Sequence, residues 1–388
     1  EKVTEESVKR TQHCRLCLHR LADSPLLELK GMPKAAQYYP QEVEFDGDKG
    51  INLDIYQCSG CGLVQLNVEP VWYFREVITA ASFSEKTRLT RLTQMTDFVQ
   101  KHALQGKTVL EIGCGKGEML DVLREAGMKP VGIEASATSV EIGRAANRTI
   151  VEGYIGADHQ TLSGLFDAFV CLNYLEHLPD PGKVIQNISR NITEEAVGYV
   201  TVPNLEYLLK TKCFYEFVAD HLSYFTRKSL SFAFEANGFD VLECHTINED
   251  NDIAIIVKKR PRLNIAGEYG AVETVIAELH SIVAQYQARN KRIAVWGAGH
   301  RTLALLALGK IREIECVVDS AKFKQGKFTP VLHVPIVAPD YLQNHNIALV
   351  IVMVPGVYPG EVLKTLKGMG LEAEIAILRD NKIEFLHE

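Results

Sequence analysis

Val109-Leu110-Glu111-Ile112-Gly113-Cys114-Gly115-Lys116-Gly117 passes from an apolar burst into a glycine-spaced turn. The burst Thr108–Ile112 reads as a buried strand, and the residues beyond Gly117 as a helix. Gly113 and Gly115 let the backbone turn sharply and approach a ligand closely. The spacing is Gly-x-Gly-x-Gly, not the Gly-x-Gly-x-x-Gly of dinucleotide sites, although the physics of the turn is shared. Glu111 stands before the first glycine, where a carboxylate suits a cationic amino-acid moiety and repels a pyrophosphate. Downstream, Val131-Gly132-Ile133-Glu134 places a second carboxylate at the end of the next strand, where a ribose diol donates a pair of hydrogen bonds.

Working outward, further apolar bursts at Pro130–Glu134, Ala168–Asn173 and Gly198–Val202 are the expected strands of a parallel sheet. A helix is expected over Ser84–His102, and the alternation of strands and helices continues as far as Ile253–Lys258. Beyond Pro261 and Gly267 a second alternation begins, with a helix over Ala271–Ala288. Strands are expected there at Arg292–Trp296, Cys316–Val318, Ala348–Val354 and Ile375–Leu378. Both stretches read as doubly wound α/β units. The expected organisation is 1–82, 83–262 and 263–388, three parts in a chain of 388 residues.

The first part carries Cys14-Arg15-Leu16-Cys17 and Cys58-Ser59-Gly60-Cys61, and Gly50–Gln57 alternates like a half-buried strand. Two residues between thiolates let a tight turn aim both sulfurs at one metal, and two such turns complete a tetrahedral shell. Cys14, Cys17, Cys58 and Cys61 are thus the expected ligands of a structural Zn2+, with His13 and His19 close enough to replace one. Four cysteines leave no open position for a substrate. The other five of the nine cysteines are scattered, which is poor material for a disulfide framework and suits a reducing compartment.

With 46% hydrophobic and 23% charged residues, the chain reads as an ordinary globular protein. Its formal charge of −7, with no basic stripe, speaks against a nucleic-acid partner. No apolar run is long enough to span a bilayer and residues 1–12 have no signal-peptide core, so a cytoplasmic location is expected.

Two histidines stand out by position. His177 follows the fourth strand of the central part, at the rim where open α/β sheets bind ligands. His221 lies in Ala219-Asp220-His221-Leu222-Ser223-Tyr224-Phe225, between the fifth strand and the next helix. Each is either a packed histidine or a catalytic one, with Asp220, Tyr224, Glu176 and Asn173 as candidate orienting groups.

The turn and the two carboxylates resemble the signature of class I S-adenosylmethionine-dependent methyltransferases. The resemblance implies a Rossmann-like central domain with S-adenosylmethionine held by Glu111, the Gly113, Cys114, Gly115 and Gly117 loop, and Glu134. It also implies that Asp158 faces the adenine and that Asn173-Tyr174-Leu175-Glu176-His177-Leu178 lines the pocket near the transferred methyl. Cys114 and Cys171 read as small core residues, not nucleophiles.

The whole order resembles the three-domain, zinc-containing sugar C-methyltransferases of deoxysugar pathways. The motifs that carry this are Cys-Ser-Gly-Cys-Gly-Leu, Leu-Glu-Ile-Gly-Cys-Gly-Lys-Gly, Glu-His-Leu and Asp-His-Leu-Ser-Tyr-Phe-Thr, then Val295-Trp296-Gly297-Ala298-Gly299-His300 and the Val318–Pro330 stretch. The resemblance implies that a nucleotide-linked 4-keto sugar loses its C3 proton to His221 and takes the methyl there. His177 would stabilise the enolate oxygen and Glu176 would bind the sugar. The C-terminal domain is implied to be a Rossmann-like unit framing the substrate cleft, without a second cofactor. His300 and Arg301 either meet a phosphate of the nucleotide or simply cap their helix. The chain departs from the family pattern in carrying Asp220 where members have Glu, and in lacking a tyrosine over Val77–Ser84, with Tyr73 nearby. Two other readings stand beside this one: O- or N-methylation of another small metabolite, and a non-catalytic zinc-bearing binding module.

Overall fold

The computed structural model describes residues 11–76, 83–156 and 162–386. They fall into two compact units that divide between Pro261 and Arg262.

The first unit opens with an antiparallel sheet of β1 (Leu27–Met32), β2 (Ile51–Gln57) and β3 (Val64–Leu66). Its fourth strand arrives from far along the chain, with Val64 paired to Tyr224 and Gln65 to Ser223. The N-terminal segment is therefore completed by a piece of the central one. A helix α1 (Glu85–Lys101) follows, capped by the Ser84 hydroxyl, which accepts from the Thr87 N–H.

The central sheet is then laid down by β4 (Thr108–Ile112), α2 (Glu118–Glu125), β5 (Lys129–Glu134), α3 (Ala137–Ala145), β6 (Ile150–Glu152), β7 (Phe166–Leu172), α4 (Pro181–Ser189) and β8 (Ile192–Pro203). After α5 (Leu205–Thr211), β9 (Ser223–Tyr224) and α6 (Arg227–Glu235) come β10 (Phe239–Ile247) and β11 (Asp252–Lys259). The strand order is β10-β11-β8-β7-β4-β5-β6, parallel from β8 to β6, with β11 antiparallel to β8 and β10 antiparallel to β11. Apolar residues alternate between the sheet's two faces. Leu110, Ile112, Phe169 and Cys171 enter one core, and Val109, Ala168 and Val170 the other. With both faces covered, the strands read as continuous apolar runs.

The chain steps outward from β4 through β5 and β6, then returns to build β7 and β8 on the other side. The carboxyl ends of β4 and β7 therefore flank a topological switch point, where open α/β sheets bind ligands. β8 begins six residues before the expected Gly198 because its first half is polar. There Glu195 and Glu194 pair with Lys258 and Lys259 of β11, at 2.6 and 2.8 Å.

In the second unit α7 (Ile265–Glu268) and α8 (Gly270–Gln287) lead into β12 (Arg292–Trp296), α9 (His300–Gly309), β13 (Cys316–Val318) and β14 (Ile336–Val337). Then come α10 (Tyr341–Asn344), β15 (Ile347–Val352), α11 (Tyr358–Gly368), β16 (Glu374–Arg379) and β17 (Lys382–Phe385). The sheet order is β14-β13-β12-β15-β16-β17, parallel except for the final hairpin. Among the described residues no helix is long and apolar enough to cross a membrane.

Candidate methyl-transfer site and cysteine cluster

The turn after β4 holds three glycines at positive φ: Gly113 at 69°, Gly115 at 53° and Gly117 at 85°. The N–H groups of Gly113 and Cys114 both donate to the Ile133 carbonyl, at 3.0 and 3.2 Å, stitching the turn to β5. A methyl group at Gly113 would lie 2.9 Å from the Tyr174 ring, so that ring packs directly on the bare backbone. The Cys114 thiol fills the space over Gly132, and burial raises its pKa, as suits a core residue.

Glu134 accepts from the N–H of Gly115 and of Ser136, each at 2.9 Å, which fixes its carboxylate beside the loop. Glu111 is only 4% exposed, and its Oε2 has no hydrogen-bond partner. Burial, then the charges of Glu118 and Glu134, hold its pKa well above the carboxylate range. An orphaned buried carboxyl beside a bare-backbone turn is incomplete without a cationic ligand. The residues present thus fit the amino-acid end of S-adenosylmethionine.

On the β7 side, Asn173 sits in the left-handed region at φ 46°. Its amide donates to Asp252 and accepts from the Thr201 hydroxyl, at 3.1 and 2.7 Å, tying β7 to β8 and β11. Tyr174 donates to the Arg75 carbonyl at 2.8 Å. Glu176 and His177 form one turn of 3-10 helix, and the Glu176 carbonyl accepts from the Leu222 N–H, drawing in the loop that bears His221. The two imidazoles meet edge to face with ring centroids 4.7 Å apart. His177 Nδ1 donates to the Asp220 carbonyl at 2.9 Å, leaving Nε2 to carry the lone pair of the neutral ring. Burial lowers both histidine pKa values, that of His221 to about 3 with a further push from His177.

His221 lines a cavity of about 200 Å³ together with Asn173, Asn204, Glu216 and Ser223. The Ser223 hydroxyl is buried there without a hydrogen-bond partner. His177 lines a smaller cavity of about 70 Å³ with Tyr73, Tyr174 and Asp220.

Two expected orienting groups are engaged elsewhere. The Asp220 carboxylate accepts from the Ala36 N–H at 2.7 Å and the Tyr73 hydroxyl at 2.5 Å, and it is the Asp220 carbonyl that orients His177. The Tyr224 hydroxyl accepts from the Val218 N–H at 2.9 Å and closes its own loop. Tyr73 does reach the site, whereas Asp158 and most of Val77–Ser84 lie outside the described residues.

The four expected cysteine ligands converge, with their sulfurs all within 4.8 Å of one another. Both knuckles repeat one pattern of hydrogen bonds. Cys14 N–H donates to His19 and Cys58 N–H to Leu63, while each cysteine carbonyl accepts from the residue four on, Leu18 or Gly62. Each first sulfur also accepts from the N–H two residues on, Leu16 at 3.4 Å and Gly60 at 3.3 Å. The fifth residue of each is left-handed, Leu18 at φ 61° and Gly62 at 78°. The Cys61 thiol beside it pulls the Cys14 pKa down to about 5, so the cluster readily yields a thiolate. Such a set fits a tetrahedral thiophilic metal. Arg15, inside the first knuckle, donates to the carbonyls of Leu66, Val68 and Pro179, linking the cluster to the chain just after His177.

In the second unit His300 and Arg301 begin α9, and Arg301 donates to the Asp380 carbonyl. The Asp319 carboxylate, at the position where a nucleotide ribose would bind, instead accepts from Ala298 N–H, Ala321 N–H and Lys324. Its capacity is spent inside the fold.

Comparison with known proteins agrees with this geometry. Residues 85–244 match the family model described as a methyltransferase domain, and residues 268–370 match the C-methyltransferase C-terminal domain. The C-methyltransferase NovU of Streptomyces niveus is 26% identical over 378 residues, covering 88% of this chain and 89% of that protein. A ubiquinone biosynthesis O-methyltransferase of Methylococcus capsulatus is 34% identical over 100 residues, 24% of this chain and 42% of its own. The crystal structure of the magnesium protoporphyrin IX methyltransferase of Synechocystis, with bound SAH, overlays 48% of this chain and 92% of its own at 16% identity and a TM-score of 0.38. The chain is thus an S-adenosylmethionine-dependent methyltransferase of the class I fold. Two matched domains in tandem, and an alignment with a C-methyltransferase across nearly the whole length, make it similar to the C-methyltransferases.

Proposed function

We propose that this enzyme methylates a carbon beside the ketone of a nucleotide-linked keto-deoxysugar, after His221 removes that carbon's proton. The observation that carries the proposal is the half-buried His177–His221 pair after β7 and β8, with His221 lining a cavity beside an unpartnered Ser223 hydroxyl. A hydroxyl oxygen already carries a nucleophilic lone pair and sheds its proton as the methyl arrives, whereas a carbon acceptor becomes a nucleophile only once a base has taken its proton. Held neutral by burial, His221 is free to accept a proton. His177, its Nδ1–H held by the Asp220 carbonyl, stands edge-on to His221 and keeps the base in place.

S-adenosylmethionine, when bound, supplies an electrophilic methyl group. Glu111 takes its ammonium, the Gly113–Gly117 turn leaves room for its body, and Glu134 accepts from its ribose. The four cysteines hold Zn2+ in a closed shell that props the N-terminal strands and takes no part in the chemistry. None of the nine cysteines is paired in a disulfide, which suits a reducing compartment such as the cytoplasm.

The test is deuterium exchange. Nucleotide 4-keto-6-deoxysugars incubated in heavy water without donor should lose the C3 hydrogen signal in wild type, and gain one methyl once S-adenosylmethionine is added. Methyl transfer to oxygen or nitrogen, with no exchange at carbon, would overturn the proposal.

A further inference from the structure

His221, taken as the base, has an electrostatic difficulty. Burial, and then the neighbouring imidazole of His177, hold its pKa at about 3. So weak a base removes a carbon-bound proton poorly. A carboxylate within a few ångströms corrects this by stabilising the imidazolium. Four acids lie near. Glu216 is exposed, so water screens it. Asp220 spends its carboxylate on Tyr73 and Ala36, and Asp252 on the amides of Asn173 and Asn248.

Glu176 is different. It is 1% exposed, and its Oε2 has no partner. One of its oxygens, a ring nitrogen of His177 and one of His221 all lie within 4.8 Å of one another, with His177 Nε2 to Glu176 Oε1 at 3.9 Å. That is too long for a hydrogen bond, while the His221 nitrogen, within 4.8 Å, is close enough for a strong charge interaction once it is protonated.

We propose that Glu176 is the charge partner of the base, a positioning residue that acts through the His177–His221 pair without touching the acceptor. The inference rests on the enolisation reading above. In the step, the acceptor's C–H bond breaks, its electron pair moves onto the ketone oxygen, and the proton goes to His221. Glu176 stays a carboxylate throughout, so no co-reactant is needed.

The groups facing Glu176 fix the pH dependence. Cys171 behind it, Tyr224 and Asp252 are neutral or anionic, and the two histidines are neutral. Burial first, with Asp252 adding to it, carries the Glu176 carboxyl up to about 8. Below that pH the carboxyl is protonated and the base lacks its partner. Exchange should therefore rise as pH rises through that value.

The experiment is the pH profile of C–H exchange without methyl donor, in wild type, Glu176→Gln and Glu176→Asp, with S-adenosylmethionine affinity and Tm as controls of folding. Wild type should show an acidic limb near pH 8. Glu176→Gln should lose that limb, with exchange above it falling by about 100-fold, the scale of a positioned base. Glu176→Asp should keep the limb and part of the rate. A limb that persists in Glu176→Gln overturns the role of Glu176 even if the rate is uniformly lower. Should the glutamine variant not fold, a wild-type profile flat through pH 8 overturns it as well. Wild type that methylates without any exchange overturns the enolisation reading itself, and with it this inference.

Discussion

The Tyr73 hydroxyl donates to the Asp220 carboxylate at 2.5 Å, across 147 residues of chain. Burial, then Asp220, raises the Tyr73 pKa, so the phenol remains a donor through the alkaline range. The other carboxylate oxygen takes the Ala36 N–H. Residues 36 and 73 together therefore hold the segment that carries His221, and the Asp220 carbonyl passes the restraint to His177.

Tyr73→Phe should destabilise the first unit by about 1–3 kcal/mol, the cost of leaving one buried acceptor unpaired. Thermal unfolding reads that directly. Methyl transfer should fall while S-adenosylmethionine affinity holds, because the donor loop is stitched to β5 and not to the Asp220 segment. Equal losses in both would mean that Tyr73 supports the whole unit, not the histidine segment.

Removing the metal should act on the same segment from the other side. Arg15 joins the first knuckle to Pro179, two residues past His177. One zinc per chain is expected by elemental analysis. Cys58→Ser should release it, raise hydrogen exchange over Ile51–Gln57 and lower methyl transfer. Full turnover in a metal-free protein would separate the cluster from the active site.

Much of this architecture was legible in the sequence, and what was hidden has a common cause. Thr108–Ile112, Arg292–Trp296 and Cys316–Val318 are apolar bursts broken only by Thr108, Glu111 and Arg292, so pattern alone finds them. The start of β8 was concealed by Glu194 and Glu195, whose partners on β11 are more than sixty residues away. β9 is two residues long and carries no periodic signal, yet it closes the N-terminal sheet. In the site, His177 follows β7 directly, whereas His221 lies in the long connection between β8 and α6. Asp220 and Tyr224 lie close to His221 in sequence, but spacing cannot show that Tyr73 and the Val218 backbone already occupy their polar atoms.

Ser223 should set acceptor affinity. Its hydroxyl is buried in the His221 cavity with no partner, an arrangement that costs stability unless a ligand completes it. Ser223→Ala should raise KM for the acceptor about tenfold, the worth of one hydrogen bond. Folding stability should hold or improve, since no protein contact is lost. An unchanged KM would place the acceptor elsewhere.

Glu111 should show opposite effects on stability and on binding. Burial, with Glu118 and Glu134 adding repulsion, raises its folded-state pKa above the unfolded value. In the free enzyme the folded state therefore binds the proton more tightly than the unfolded chain does, and stability falls as pH rises from the unfolded pKa through the folded one. Glu111→Gln cannot ionise, so it should be more stable than wild type above about pH 5. Binding should move the other way. An ammonium group needs the carboxylate, so donor binding should release a proton, and affinity should weaken as pH falls below the free-state pKa. Titration calorimetry in two buffers of different ionisation enthalpy measures that release. Glu111→Gln should abolish it and lower affinity by about 10- to 100-fold, the worth of a charged hydrogen bond. A variant that is stabilised yet binds the donor as wild type does would show that the donor's charge is met by another group.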